Sequence, residues 1–214
     1  HIGTVEQWEH NQSILKEAIT DMGKEFEVNE GDGAFYGPKL DFHLADSLGR
    51  TWQCGTVQLD SQLPERFELE YTGEDGQKHR PVMLHRVVLG SIERFIGVIT
   101  EHFAGAFPTW LAPVQVKVLP ITDRAADYAN QVAAKLDALG YRVETDHRNE
   151  KIGKKIRDTQ LEKVPYMLVV GDKEAETGDV AVRNRHGQQT VMSLDAFAQQ
   201  LKDEVDSKSI EQKI

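Results

Sequence analysis

The strongest constraint on the fold is a break in the sequence pattern at residues 105–113, GAFPTWLAP, which hold two prolines within six residues. Before this break, apolar and polar residues alternate in Lys39–Leu44, with the period of a half-buried strand. After it, strand-like and helix-like segments follow one another in turn. Because proline interrupts helices and central strands, such a segment commonly joins domains. The sequence therefore predicts two domains, residues 1–113 and residues 114–214.

The first domain is predicted to be α+β, built on an antiparallel sheet. Apolar spacing indicates an amphipathic helix over residues 6–22. Residues 26–59 have the composition of strands and include a long hairpin that turns at 45–50. A strand at 81–89 and a helix at 91–103 follow. The apolar residues that we expect this helix to bury are Ile92, Phe95, Ile96, Ile99 and Phe103.

The second domain alternates strands with helices, which predicts an α/β fold with a mixed, mostly parallel sheet. The predicted strands are 114–119, 141–146, 165–171 and 179–184, and the predicted helices are 123–139, 151–163 and 193–205. Asp206–Ile214 is polar, and we expect it to be frayed.

The formal charge of −10 argues against a protein that coats nucleic acid, because such proteins are basic. The first domain has nine Lys and Arg against 18 Asp and Glu, whereas the second has 16 against 17. A nucleic-acid contact is therefore expected in the second domain, near Arg142–Arg157. No apolar run is long enough to cross a bilayer, no secretory signal is visible, and Cys54 is the only cysteine. We expect a cytoplasmic protein without membrane contact.

Residues 82–97, VMLHRVVLGSIERFIG, place a histidine on an apolar strand and an arginine in the first turn of the next helix. A helix N-terminus with an arginine can hold a polyphosphate, because both offer N–H donors to an anion. His85 can bind a metal or a small polar substrate. From the pattern alone, His85 fits a core residue better, and Arg94 fits an exposed side chain paired with Glu93 or Glu101.

Polar side chains also occur along the predicted hairpin. Gln53 and Gln58 lie in an otherwise apolar strand, where a buried amide needs a hydrogen-bonding partner. Their spacing of five places them on opposite faces of a regular strand, and a bulge at Gly55 would bring both to one face. From the pattern alone, Lys39 fits a solvated strand face, and Cys54 fits a small buried side chain.

Five segments occur in the order found in one enzyme family: residues 34–41 (AFYGPKLD), 52–60 (WQCGTVQLD), 63–66 (LPER), 82–97 and 148–157 (RNEKIGKKIR). Together they closely resemble the class II aminoacyl-tRNA synthetases, and specifically the threonyl-tRNA synthetase family. The resemblance implies the class II catalytic fold followed by an anticodon-binding domain. It implies activation of threonine by ATP, which binds with magnesium, and transfer to tRNA(Thr). The alternatives are an inactive, synthetase-like tRNA-binding or regulatory module and a phosphate-binding enzyme outside the synthetases.

The resemblance also implies roles for residues of the first domain. Lys39 and Arg94 would be catalytic, because they would contact the phosphates of ATP. His85 would be one of three zinc ligands, with the zinc gripping the amine and hydroxyl of threonine. The residues that would line the substrate and ATP pocket are Tyr36, Gln53, Gln58, Ser91 and Arg94.

Several family features have no counterpart in the sequence. They are the other two zinc ligands, the first motif, which forms the homodimer, and the second motif, whose arginine grips the α-phosphate. In the family these features precede the segment that begins here at His1. The resemblance therefore implies the C-terminal portion of a synthetase that is a homodimer at full length, and we expect the isolated chain to be inactive.

In the second domain the resemblance implies binding of the tRNA anticodon. Bases of an anticodon loop are unstacked, so a protein reads them by hydrogen bonds to their edges. We assign Asn149, Glu174 and Arg183 to base edges, because each side chain forms directional hydrogen bonds. The basic residues assigned to phosphate are Lys151, Lys154, Lys155 and Arg157. The alternative for this basic cluster is a solvated helix face.

Overall fold

The structure is a computed structural model that describes residues 2–213. Its backbone contacts divide the chain into two units, the first ending at His102 and the second beginning at Phe103. The proline-containing segment 105–113 belongs to the second unit in this division. The domain boundary at residue 113 stays a prediction.

The first unit contains a three-stranded antiparallel sheet in the order β1-β2-β5. Its strands are β1 (Lys39–Ala45), β2 (Thr51–Asp60), the short pair β3 (Tyr71–Thr72) and β4 (Lys78–His79), and β5 (Met83–Val87). Its helices are α1 (Val5–Asp21), α2 (Gln62–Arg66) and α3 (Ile92–His102). The predicted first helix, hairpin and final strand–helix pair are confirmed. The short helix α2 is an addition that the sequence pattern did not predict.

Helix α1 begins where a capping box satisfies its first N–H groups. The hydroxyl of Thr4 accepts from the Gln7 N–H, and the Gln7 side chain accepts from the Thr4 N–H, each at 3.2 Å. Further along, Leu15 and Ile19 are buried, as the period of the helix predicts. The apolar side of α1 therefore packs against the rest of the first unit.

A β-bulge interrupts the hairpin in β2. Phe42 pairs with Gly55 and His43 pairs with Gln53, so Cys54 is the extra residue. The bulge lies next to Gly55, the position where one would bring Gln53 and Gln58 to one face, and the Cys54 side chain is buried as expected. One inserted residue reverses which side of the sheet the following side chains face.

Two expectations for the first unit are wrong. Residues 26–38 form no regular strand, because several glycines, including Gly31 with a φ of +84°, turn the chain repeatedly. Helix α3 forms, yet none of its residues is buried, and Ile92 and Ile96 are 61% and 51% exposed. An apolar helix face is buried only where another element covers it, and within residues 2–213 none covers this face.

The second unit contains a five-stranded mixed sheet in the order β10-β9-β8-β6-β7. Its strands are β6 (Val116–Pro120), β7 (Val143–Thr145), β8 (Tyr166–Val170), β9 (Asp179–Asn184) and β10 (Gln189–Ser193). Its helices are α4 (Ala126–Ala138), α5 (Ile152–Leu161), α6 (Asp172–Thr177) and α7 (Leu194–Asp206). Strand β6 is parallel to β7 and β8, whereas β9 is antiparallel to β8 and β10. The predicted mixed sheet is confirmed, although only two of its four strand pairs are parallel, and α6 and β10 are additions.

The main core of the second unit lies on one face of this sheet, against α4 and α7. Alternate residues of β6, β8 and β9 point into it. Its largest completely buried members are Tyr166, Phe197, Leu136, Leu168 and Leu201. Burial of one such side chain contributes about 1.5–3 kcal/mol, so this cluster dominates the stability of the unit.

The segment after α7 is more ordered than expected. The Gln212 side chain donates to the Pro165 carbonyl at 2.7 Å, and the Lys213 N–H donates to Oε2 of Glu204 at 3.0 Å. The prediction of a frayed end is therefore wrong up to Lys213, because hydrogen bonds to the second unit hold it. No helix within residues 2–213 is both long and apolar enough to span a membrane.

Candidate functional sites

The polar residues predicted for the first unit lie on one face of the sheet. The bulge adds a residue between Gln53 and Gln58, so their side chains face the same side. Lys39 pairs with Gln58, and Gln58 pairs with His85, which places all four residues on that face. The structure thus brings together side chains from three strands. The first and last of these residues, Lys39 and His85, are 46 positions apart in the sequence.

Tyr36 covers this polar face beside β5. Its hydroxyl donates to Oε1 of Gln58, and its ring centroid lies 5.6 Å from that of His85. The turn before β1 approaches β2 closely, because a Cβ at Gly37 would lie 1.9 Å from the Leu59 carbonyl oxygen. Only glycine fits there, so the segment AFYGPK fixes Tyr36 against Gln58.

Lys39 supplies a positive charge to the same face. Its ammonium lies 2.6 Å from Oδ2 of Asp41 and 3.7 Å from Oδ2 of Asp32. The hydrogen bond to Asp41 raises the pKa of Lys39 above its ordinary value, so the charge persists at neutral pH. The Gln53 amide donates to the other oxygen of Asp41 at 2.8 Å. A ligand on this face would meet an oriented ammonium and two oriented amides.

His85 is oriented by a carboxylate that sequence reasoning missed. Its Nε2 lies 2.9 Å from Oδ2 of Asp60, whose side chain is completely buried. Oδ1 of Asp60 accepts from the N–H groups of Gln62 and Leu63 at 2.8 and 3.0 Å. Burial alone would raise the pKa of Asp60, but these hydrogen bonds outweigh it and hold that pKa below its ordinary value. The sequence feature that could have identified Asp60 is its position between a strand and the start of a helix, where an aspartate commonly caps the helix.

His85 does not occupy the core position that the sequence pattern favoured. Strand β5 lies at the edge of the described sheet, and the His85 side chain is about one-third exposed. Among the described residues, no group of three His, Cys, Asp or Glu is placed to hold a metal. The described residues alone therefore do not form a zinc site, and His85 is a single ring that a buried carboxylate orients.

Arg94 lies in the first turn of α3, as predicted. Its Nη1 donates to the Gln53 carbonyl at 2.9 Å, which holds it beside the polar face. Ser91 caps the helix by accepting from the Arg94 N–H at 3.2 Å, and its own hydroxyl donates to Glu93 at 2.9 Å. Ser91 and Arg94 therefore form one local unit at the helix start.

Trp52 links Arg94 to the hairpin turn. The Arg94 guanidinium lies 5.9 Å from the centroid of the Trp52 ring, within the range of a cation–π contact. The indole N–H of Trp52 donates to Oδ2 of Asp46 at 2.9 Å. That carboxylate also accepts from Arg50, and the pKa of Asp46 lies well below its ordinary value mainly because of the Trp52 hydrogen bond.

The second unit has a cleft at the carboxyl ends of β6 and β7, with a volume of about 240 Å³. Polar and apolar side chains both line it. The lining residues that bear on recognition are Ile121, Thr122, Asp123, His147, Asn149 and Lys155. Asn149 is exposed, and its side chain forms no hydrogen bond within the described chain. Strand ends of α/β sheets commonly bind ligands, so this cleft is the candidate nucleic-acid interface.

Lys155 does not occupy the surface position that a phosphate contact needs. It is only 5% exposed, and its ammonium donates to the carbonyls of Pro120 and Asp146 at 3.1 and 3.0 Å. Its assignment to phosphate is therefore corrected, because the ammonium is held inside the unit. Lys154 and Arg157 are exposed, and Lys154 lies 3.3 Å from Asp158.

The three predicted base readers do not meet at one point. Glu174 lies at the start of α6, where its carboxylate accepts from the Gly171 N–H at 2.9 Å. The N–H of Ile121 in the cleft donates to the carbonyl of Val170, the residue before Gly171, at 2.9 Å. Glu174 therefore adjoins the same end of the sheet as Asn149. Arg183 instead pairs with Met167 near the opposite end of β8, and it does not line the cleft. Its Nε is buried without a hydrogen-bonding partner among the described residues.

Comparison with known proteins gives matches over both units. Residues 4–103 match the model of the tRNA synthetase class II core domain (G, H, P, S and T), and residues 115–204 match that of the anticodon binding domain. The chain is 61% identical over 210 residues to threonine–tRNA ligase of Desulforamulus reducens, covering 98% of the chain and 33% of that protein. It is 62% identical over 208 residues to threonine–tRNA ligase of Syntrophomonas wolfei, covering 97% and 33%.

Among solved structures, the RNA binding domain of threonyl-tRNA synthetase from Cryptosporidium parvum Iowa II is similar with a TM-score of 0.89 and 43% sequence identity. The match covers 95% of the chain and 52% of that structure. The chain spans about a third of the length of the curated relatives that it matches.

Proposed function

The chain belongs to the class II aminoacyl-tRNA synthetases, and from that premise we propose that it is part of a threonine–tRNA ligase. The observation that carries the proposal is the polar sheet face, where Tyr36, Lys39, Gln58 and His85 lie together. The chain that carries this face is 61% identical to a threonine–tRNA ligase over 210 residues, which are 98% of the chain. The proposed activity is that of the whole protein, of which the chain supplies one part.

The proposed reaction has two steps. The carboxylate of threonine attacks the α-phosphorus of ATP, which forms threonyl-adenylate and releases pyrophosphate. A ribose hydroxyl at the 3′ end of tRNA(Thr) then attacks the adenylate carbonyl, and AMP leaves. The first step needs positive charge near the phosphates and an aligned carboxylate more than it needs covalent help.

The charges of the polar face fit that need. The Lys39 ammonium would stabilise the negative charge that develops on the α-phosphate. Arg94 would hold the triphosphate, which enters with magnesium, from the start of α3, where the helix dipole also favours an anion. Tyr36, Gln53 and Gln58 would contact threonine and the nucleotide through oriented hydroxyl and amide groups.

For zinc, we propose only that His85 is one ligand. When bound, zinc would act as a Lewis acid that grips the amine and hydroxyl of threonine. The hydrogen bond to Asp60 holds the ring and leaves its other nitrogen for a metal. The remaining ligands would come from parts of the protein outside residues 2–213.

For tRNA(Thr), we propose that the second unit binds the anticodon loop. Asn149 and Glu174 lie at the sheet edge beside the cleft and would read base edges there, and Arg183 would read a base from a separate position. Lys151, Lys154 and Arg157 would contact phosphate. The complete protein would be a homodimer.

The test is amino-acid-dependent exchange of pyrophosphate into ATP, measured on the full-length protein that contains this chain, with each amino acid in turn. We expect exchange with threonine alone and threonine transfer to tRNA(Thr). The 214-residue chain is the comparison, and we expect no exchange from it. A full-length protein that binds tRNA without supporting exchange would favour the inactive tRNA-binding module instead.

A further inference from the structure

The cleft of the second unit is shaped by a buried charge that the proposed function does not use. Lys155 of α5 is a lysine with 5% exposure, and burying a charge is costly unless hydrogen bonds compensate for it. Its ammonium donates to the carbonyls of Pro120, at the end of β6, and Asp146, just after β7. One side chain therefore ties together the ends of two parallel strands and a helix.

Arg148 holds the same loop from its solvent side. Its guanidinium donates to both oxygens of Asp146 at 2.9 and 2.7 Å and to Oδ2 of Asp158 at 2.9 Å. Asp146 is in the loop and Asp158 is in α5, so Arg148 fixes the loop both to itself and to the helix. Hydrogen bonds from Arg148 also bring the pKa of Asp146 to about 2, which keeps its carboxylate charged.

Between these two anchors lies Asn149, whose side chain forms no hydrogen bond to any residue in 2–213. The loop therefore presents an unpaired amide to the cleft while the backbone around it is held from both sides. Asp123 and Glu150 also line the cleft, and their formal charges balance those of Arg148 and Lys155, so the lining has no excess positive charge to attract a phosphate. A neutral ligand with donors and acceptors, such as a nucleobase edge, fits this lining better.

We propose that Lys155 and Arg148 are positioning residues for anticodon recognition, which clamp loop 146–150 so that the Asn149 amide meets a base at a fixed distance and angle. The proposal rests on the proposed function of the second unit. Discrimination between bases requires hydrogen bonds of fixed geometry, so a loop that moves would bind RNA but lose selectivity. The clamp thus contributes to selectivity without contacting the RNA.

Lys155→Met tests the clamp, because methionine fills the same space without the ammonium. Lys154→Met is the matched control, since the neighbouring lysine is exposed and only forms ion pairs at the surface. The 214-residue chain is titrated with two RNA stem-loops at several salt concentrations. One carries the tRNA(Thr) anticodon and the other carries altered anticodon bases. Amide hydrogen exchange at residues 146–150 is measured without RNA.

We expect Lys155→Met to reduce the preference for the tRNA(Thr) loop by about tenfold, the order of one base contact, with an unchanged salt dependence. Exchange at 146–150 should become faster. Lys154→Met should weaken both loops equally and flatten the salt dependence, because a phosphate contact is lost.

If Lys155→Met instead weakens both loops equally and flattens the salt dependence, Lys155 contacts phosphate and the proposal is overturned. An unchanged preference overturns it as well. If Lys155→Met does not fold, Arg148→Gln decides, since the Arg148 side chain is 49% exposed and its loss should also lower the preference. A wild-type chain with no preference would reject anticodon reading itself, whereas the exchange data would still report whether the loop is clamped.

Discussion

The imidazole Nε2 of His85 lies 2.9 Å from Oδ2 of Asp60, and the Asp60 side chain is completely buried. The second oxygen of Asp60 accepts from the N–H groups of Gln62 and Leu63. One carboxylate thus holds both the histidine ring on β5 and the start of α2. This arrangement makes Asp60 a structural requirement of the polar face, and it can be tested without substrate.

Asp60→Ala should destabilise the chain by about 1–3 kcal/mol, because it leaves buried N–H donors without partners. The measurement is urea unfolding of the 214-residue chain. Asp75→Ala is a matched control: Asp75 is exposed, although it also contacts a histidine at 2.9 Å and the Gln77 N–H at 3.0 Å. Its loss should change the free energy of unfolding much less than the loss of Asp60, because solvent screens an exposed ion pair. Equal losses in the two variants would contradict the role of Asp60.

The stabilisation from Asp146 should depend on pH. Its pKa is lowered from 3.8 to about 2, mainly by the hydrogen bond from Arg148, so the folded state binds its proton less tightly than the unfolded chain. This contribution is therefore fully present above pH 4 and is lost as the pH falls through about 2. Asp146→Asn should cost about 1.5–3 kcal/mol at pH 6, typical of charge-assisted hydrogen bonds, and the cost should shrink towards pH 2.

The control for Asp146 is the exposed pair formed by Arg124 and Asp172, at 2.6 Å. Asp172→Asn should change the free energy of unfolding by less than about 1 kcal/mol at either pH. A cost of Asp146→Asn that does not vary between pH 6 and pH 2 would show that its charge is not what stabilises the loop.

His85→Ala in the full-length protein should lower bound zinc and weaken the discrimination of threonine against valine. The reason is that valine lacks the hydroxyl that a metal would hold. Elemental analysis gives the zinc content, and exchange with each amino acid gives the discrimination. Stoichiometric zinc in the purified variant would show that His85 is not a zinc ligand.

Arg94→Ala in the full-length protein should cost about 2–4 kcal/mol of transition-state stabilisation, as expected when a preorganised charged donor is removed. The measured quantity is kcat/KM for ATP in pyrophosphate exchange. Arg124→Ala is the control, because that arginine is exposed and lies on the second unit. An unchanged kcat/KM for Arg94→Ala would remove Arg94 from the site.

Local patterns in the sequence predicted much of the fold. The two-residue period of Lys39–Leu44 predicted the hairpin, and the glycine at position 55 marked a place for the bulge that aligns Gln53 with Gln58. Such features depend on neighbouring residues alone. Helix α3 shows the limit, since its apolar period predicted a buried face that nothing in residues 2–213 covers. Burial depends on distant elements, which periodicity does not reveal.

The candidate sites show the same division. Motifs identified Lys39, His85 and Arg94, but not Asp60, whose contact with His85 joins residues 25 positions apart. In the sequence, Lys155 resembles the exposed bases of the same helix. The structure shows that its ammonium is buried, because it donates to carbonyls at the ends of β6 and β7. The charge of a residue can be read from the sequence, whereas its exposure cannot.

The most direct test of the account is the affinity of the full-length protein for a nonhydrolysable threonyl-adenylate analogue, with Lys39→Met compared with Lys78→Met. Lys39 lies on the polar face, whereas Lys78 lies in the exposed strand β4. The account predicts that Lys39→Met binds the analogue at least about tenfold more weakly, since a charge-assisted hydrogen bond contributes about 1.5–3 kcal/mol. Lys78→Met should bind like the wild type. Equal binding by the two variants would contradict the placement of the adenylate on this face.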